Sequence, residues 1–156
     1  MFPPNLITEA RIRSRSEIAS KKRLLESLGA LLADASPALS ADNVVERLLE
    51  RERLGSTGLG HGIALPHARV KEVAAPVGAL IQLREGVSFD AIDDRPVDLA
   101  FALLVPEAAD ERHLQLLAGL AQMFNDPDLR QRLREGRSAG ELLDILTSWR
   151  TADDAP

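Results

Sequence analysis

Leu24, Leu25, Leu28, Leu31 and Leu32 fall on one face of a 3.6-residue period, just after Ser20, whose hydroxyl can take up a free amide at a helix start. Ser36-Pro37 closes that helix. The stripe returns after Ser40 with Val44, Val45, Leu48 and Leu49, which predicts a second helix. The pattern then changes. Residues 77–83 and 97–105 are continuous apolar runs of strand length, the second stopped by Pro106, and residues 87–92 read as a further short strand before a turn at Asp93-Asp94. Residues 12–18 alternate weakly with charge, as an edge strand does. From about Asp110 the helical period resumes in Leu114, Leu117, Leu120, Ala121 and Phe124. Two shorter helices follow near 128–134 and 138–149, separated by Glu135-Gly136.

Helices first, strands in the middle and helices last, with no βαβ repeat, predict an α/β fold: a single three-layer domain with a mixed central sheet flanked by helices on both faces. A chain of 156 residues suits one core. The expected organisation is a flexible N-terminus at 1–9, the domain at 10–150 and a disordered tail at 151–156. Aromatics make up only 3%, so Leu, Ala, Val and Ile must fill the interior. The net charge of -5 argues against a general nucleic-acid or anionic-membrane binder. The basic run Arg11, Arg13, Arg15, Lys21, Lys22 and Arg23 lacks interleaved aromatics and reads as a solvated edge. Absence of cysteine rules out disulfides, thiolate metal sites and a thiol nucleophile. The N-terminus lacks the basic start and apolar stretch of a signal peptide, and no run approaches the roughly 20 apolar residues that span a bilayer. The expectation is a cytoplasmic protein without membrane insertion.

The chemistry concentrates at Gly62-Ile63-Ala64-Leu65-Pro66-His67, a short apolar run stopped by proline with an imidazole just beyond. Pro66 has no N–H and pushes Leu65 toward extended geometry, so His67 is expected where a strand is forced to end. Near neutral pH a histidine is mostly unprotonated and can accept a transferable group without a separate base. By residue type alone it could equally cap a turn. His113 falls three positions after Asp110, in the first turn of the predicted helix, where free N–H groups favour an anion. It could also be an exposed histidine without a role. The glycines at 55, 58, 60 and 62 form a loop expected to be mobile, but neither the Walker A ending nor the dinucleotide fingerprint is present. Ser56 and Thr57 in that loop could donate hydrogen bonds or only shape the turn. His61, His67 and His113 have the residue types of a three-histidine zinc set.

The stretch Glu52-Arg53-Leu54-Gly55-Ser56-Thr57-Gly58-Leu59-Gly60-His61-Gly62-Ile63-Ala64-Leu65-Pro66-His67 resembles the active-site signature of mannitol/fructose-type enzyme IIA of the bacterial phosphotransferase system. The Gly-Ser-Thr-Gly step is most similar to the nitrogen-regulatory branch. The resemblance implies that His67 carries the phosphoryl group, on Nε2, received from a phosphohistidine on an HPr-like carrier (NPr). It implies His113 as the second active-site histidine and Arg51, rather than its competitor Arg53, as the arginine beside the phosphoryl group. Ser56 and Thr57 become candidate phosphoryl-binding hydroxyls, and no metal or cofactor is expected. The implied output is regulation of target proteins such as sensor kinases or transporters. The alternatives are a sugar-transport enzyme IIA passing phosphate to an enzyme IIB, and a binding module with vestigial phosphorylation.

Overall fold

Ser20, Ser40, Asp110, Asp126 and Ser138 each stand one residue before a helix, and each side chain accepts a first-turn backbone N–H. In the computed structural model, which describes residues 3, 5–108 and 110–149, they open α1 (Lys21–Ala33), α2 (Ala41–Arg53), α3 (Glu111–Phe124), α4 (Pro127–Glu135) and α5 (Ala139–Ser148). Between and before them run β1 (Ile12–Ser16), β2 (Gly58–Gly60), β3 (Ile63–Ala64), β4 (His67–Val70), β5 (Val77–Val87) and β6 (Val97–Pro106). The sheet order is β1-β5-β6-β3-β2, with β4 also paired to β6. β5 and β6 are antiparallel and β1, β3 and β4 join in parallel, so the sheet is mixed as the element order predicts.

β6 divides the interior. Ala100, Ala102 and Leu104 enter a core with α1 and α2, built on Leu24, Leu25, Leu28, Val44 and Leu48. Leu99, Phe101, Leu103 and Val105 enter a second core with α3, α4 and α5. A strand covered on both faces reads as an unbroken apolar run, which is why residues 97–105 carry no polar alternation beyond Asp98. Gln82 is a polar side chain buried in the second layer. It donates to the carbonyls of Leu133 (2.7 Å) and Gly136 (2.9 Å) at the end of α4, and accepts from the Arg15 amide (3.0 Å).

Four expectations are corrected. Leu6 and Ile7 are buried, and the Leu6 carbonyl accepts the Gly78 amide at 2.7 Å, so residues 6–9 belong to the domain rather than to a flexible arm. The remainder of the 1–9 expectation at residues 1, 2 and 4, and the 151–156 tail, lie outside the described residues. Residues 88–92 form no strand: β5 runs through to Val87, then Phe89 plugs the core while Ile92 is exposed. The basic run is not uniformly solvated. Arg11 is buried against the carbonyls of Gly78 and Leu6, and Lys21 is folded inward onto Glu52 and the Phe89 ring.

The fourth correction concerns Pro66. β3 and β4 pair with β6 at one constant register, Ile63 with Leu99 and His67 with Leu103. The Pro66 carbonyl accepts the Leu103 amide at 2.9 Å. The proline removes one donor and β3 stops at Ala64, as expected, but pairing with β6 resumes in the same register and His67 opens β4 rather than a loop. Among the described residues, no helix is long and apolar enough to cross a membrane.

Candidate functional site

Side chains along 63–70 alternate between the two cores. Ala64, Ala68 and Val70 join the α1/α2 core, while Ile63 and Leu65 join the α3–α5 core. His67 and Arg69 share the odd register and stand on the side of α3. They open into a cleft of about 610 Å³ between the end of α2 and the start of α3, lined also by Arg47, Arg51, Leu54, His113 and Leu117. Of the residues singled out in the sequence, the structure brings His67, His113 and Arg51 together there.

The imidazole of His67 is oriented by its own strand. Nδ1 lies 2.9 Å from the Leu65 carbonyl oxygen. A carbonyl can only accept, so in the neutral ring Nδ1 carries the proton and Nε2 keeps the lone pair. Burial is the main cause of a pKa below the usual 6.5; the Leu65 carbonyl opposes it, Arg51 lowers it further and Glu52 raises it. At neutral pH the ring is an unprotonated nucleophile with one available nitrogen.

His113 has the opposite tautomer. It occupies the third position of α3, and its Nδ1 accepts the Asp110 backbone amide at 3.1 Å in a capping box. The carboxylate of Asp110 is farther, 3.6 Å from the same nitrogen. With Nδ1 engaged as an acceptor, the ring proton sits on Nε2, leaving a donor for an anion. One imidazole thus offers a lone pair and the other an N–H.

Arg51 donates to the Gly55 carbonyl at 3.0 Å, which holds the side chain at the C-terminus of α2. Arg53, on the same turn, does not line the cleft. Arg47 and Arg69 are cleft residues that the sequence reading did not select. The signal was present: Arg47, Arg51 and Leu54 are spaced four and three apart on one helical face, and Arg69 is two residues beyond His67 on one strand face.

Ser56 and Thr57 are placed differently. The Ser56 hydroxyl donates to the Phe89 carbonyl (2.8 Å) and accepts from the Gly58 amide (3.1 Å). Thr57 is buried and its hydroxyl donates to Glu52 at 2.6 Å. Each hydroxyl has a single proton, already committed, and neither residue lines the cleft. The glycine loop is partly strand: β2 and β3 form a hairpin whose two turn residues, His61 (φ 57) and Gly62 (φ 81), both have positive φ. Gly58 is there for contact, since a Cβ would lie 2.7 Å from that of Ala91. His61 is fixed by its backbone, donating to Asp93 at 2.8 Å and accepting from Arg134, away from the other two histidines. Among the described residues no group of three potential ligands is disposed to hold a metal ion.

Over residues 5–149 the chain matches the family described as phosphoenolpyruvate-dependent sugar phosphotransferase system, EIIA 2. A nitrogen regulatory protein from Pseudomonas aeruginosa is 48% identical over 127 residues, covering 81% of this chain and 82% of that protein. The crystal structure of nitrogen regulatory protein IIA-Ntr from Neisseria meningitidis superposes with a TM-score of 0.85 at 46% identity, over 90% of this chain and 96% of that one. That of IIA mannitol from Escherichia coli does so with a TM-score of 0.73 at 26% identity, over 89% and 97%. The family match takes in both core layers, the stretch from Glu52 to His67 and the whole histidine cleft, and so this chain belongs to the EIIA 2 family of the phosphotransferase system.

Proposed function

We propose that this protein is a regulatory phosphocarrier whose acceptor atom is Nε2 of His67. The observation that carries the reading is the 2.9 Å contact from His67 Nδ1 to the Leu65 carbonyl, which leaves Nε2 as the nucleophile in a cleft with three arginines and a histidine donor. The donor is a phosphohistidine on a small HPr-like protein. The Nε2 lone pair attacks phosphorus in line, and the donor's N–P bond breaks with its electron pair returning to the donor ring. The proton on Nδ1 of His67 stays in place, where the Leu65 carbonyl supports the positive charge the ring acquires. Arg51 and the Nε2–H of His113 hold the phosphoryl oxygens, because such a transfer demands positioning and charge stabilisation more than covalent help. Regulation follows from adding about −1.5 to −2 charges beside exposed Leu54 and Leu114, which changes which surfaces can pack there. Similarity to nitrogen regulatory proteins supports this output over onward transfer to a sugar-specific enzyme IIB.

The test is incubation with phosphoenolpyruvate, enzyme I and an HPr-type carrier. One acid-labile, base-stable phosphoryl group per chain is expected, lost in His67→Ala with the fold intact by circular dichroism. Full labelling of that variant refutes the acceptor assignment. Identical partner capture by the phosphorylated and unphosphorylated forms refutes the regulatory output and leaves transport.

A further inference from the structure

Glu52 opens the Glu52–His67 stretch, yet nothing in the transfer step above uses it. It is the last-turn acid of α2, with its side chain only 4% exposed. Its carboxylate accepts the Thr57 amide on Oε1 (2.8 Å) and the Thr57 hydroxyl on Oε2 (2.6 Å), and Oε1 lies 3.2 Å from Lys21 Nζ. Thr57, held at both groups, presents its carbonyl to the Leu65 amide at 3.0 Å. The Leu65 carbonyl then accepts from His67 Nδ1. Pro66 makes this chain of contacts necessary. Its carbonyl faces β6, so the N–H and C=O of Leu65 face the open side, where Thr57 is the partner of the Leu65 amide.

We propose that Glu52 is a positioning residue that, through Thr57 and Leu65, fixes the His67 tautomer and so selects Nε2 as the acceptor. The inference rests on the phosphocarrier reading for its kinetic consequence, but not for its structural one. A carboxylate is required because Thr57 presents two donors and Lys21 a third, and only an acceptor-only group satisfies all of them. Glutamine would direct an NH2 at a Thr57 donor, displacing that residue and with it the peptide unit that receives the His67 proton. Lys21 completes the arrangement by supplying the opposite charge that a buried carboxylate needs, itself anchored on the Phe89 carbonyl at 3.2 Å and 3.5 Å from Asp90.

The experiment is Glu52→Gln, read in two ways. First, 15N shifts of the His67 ring nitrogens in unphosphorylated protein report the tautomer. The wild type should show protonated Nδ1 and bare Nε2, and the variant a mixture of the two neutral forms. Second, the rate of phosphorylation by an HPr-type carrier should fall on the order of 10–100-fold, by analogy with the loss of a partner that orients a metal-ligating histidine. A purely structural role would lower the melting temperature without moving the ring shifts. Unchanged ring shifts, or an unchanged rate, overturn the proposal. Should Glu52→Gln not fold, Thr57→Val removes the 2.6 Å contact alone and must still shift the tautomer balance; wild-type shifts in that variant overturn it equally. Failure of wild-type protein to accept a phosphoryl group would remove the phosphocarrier reading while leaving the tautomer result to stand or fall by itself.

Discussion

On the proposed mechanism His113 has two separable jobs, a helix cap through Nδ1 and an anion donor through Nε2, and substitution can remove one while keeping the other. His113→Ala loses both. The cap half, a single contact at 3.1 Å to the Asp110 amide, is worth about 1 kcal/mol. For a chain of this length that lowers the melting temperature by roughly 2–4 °C. The donor half is one N–H in a cleft that Arg47, Arg51 and Arg69 also line, which points to the lower end of the range for oxyanion donors, about 10²-fold in transfer rate. His113→Glu separates the two. A glutamate at this position completes a capping box, so stability should return toward wild type, while its charge repels the phosphoryl oxygens and transfer should be slower than in the alanine variant. The assay is rapid-quench phosphorylation by an HPr-type carrier, beside thermal melts of the same preparations. If rates rank with melting temperatures, the glutamate variant outpacing the alanine one, His113 acts only as a cap and the two-tautomer reasoning fails.

Arg51→Ala should slow transfer more than Arg53→Ala, since only the former lines the cleft; equal rates in the two variants would contradict this. The native His67 ring binds its proton less tightly than an ordinary histidine, so NMR titration should give a midpoint below 6.5 and acceptor activity should persist as pH falls past that value. By linkage, its contribution to stability is fully present above the unfolded value near 6.5 and is lost as pH falls from there toward the native pKa; a midpoint above 6.5 reverses the sign. Gln82→Leu strips partners from the Gly136 carbonyl and the Arg15 amide, a loss of about 2 kcal/mol and roughly 4–8 °C in melting temperature, with an unchanged midpoint as the contrary result.

The helices were legible because their signals are local. Ser20, Ser40 and Asp110 sit beside the stripes they cap, and every leucine of the α1 stripe is buried. The interruption at Leu65-Pro66 was legible because the missing donor is a local fact, whereas the resumption of pairing with β6 at His67 is a long-range one. Leu6 and Ile7 are too short a pair to show a period, and their burial depends on Gly78, distant in sequence. At the site, residue types and spacing left His67 and His113 with bland alternatives, and the resemblance to enzyme IIA selected both, as it did Arg51 over Arg53. The partners of the Ser56 and Thr57 hydroxyls could not be read, because Phe89 and Glu52 compete for them only once the loop has closed. Lys21 looked like one charge in a basic run until folding set it on Glu52.

β6 keeps the two cores apart, and the cleft lies where they meet at the sheet's edge, with Arg51 carried by a helix of one core and His113 by a helix of the other. On the proposed chemistry, a phosphoryl group on His67 is a removable rivet between two plates. Loaded, it draws the end of α2 and the first turn of α3 onto one anion; unloaded, that shared anion is gone. Amide protons at those two helix ends should then exchange more slowly together when the group is on and faster together when it leaves. A target that grips both helix ends would feel the rivet as stiffness as well as charge.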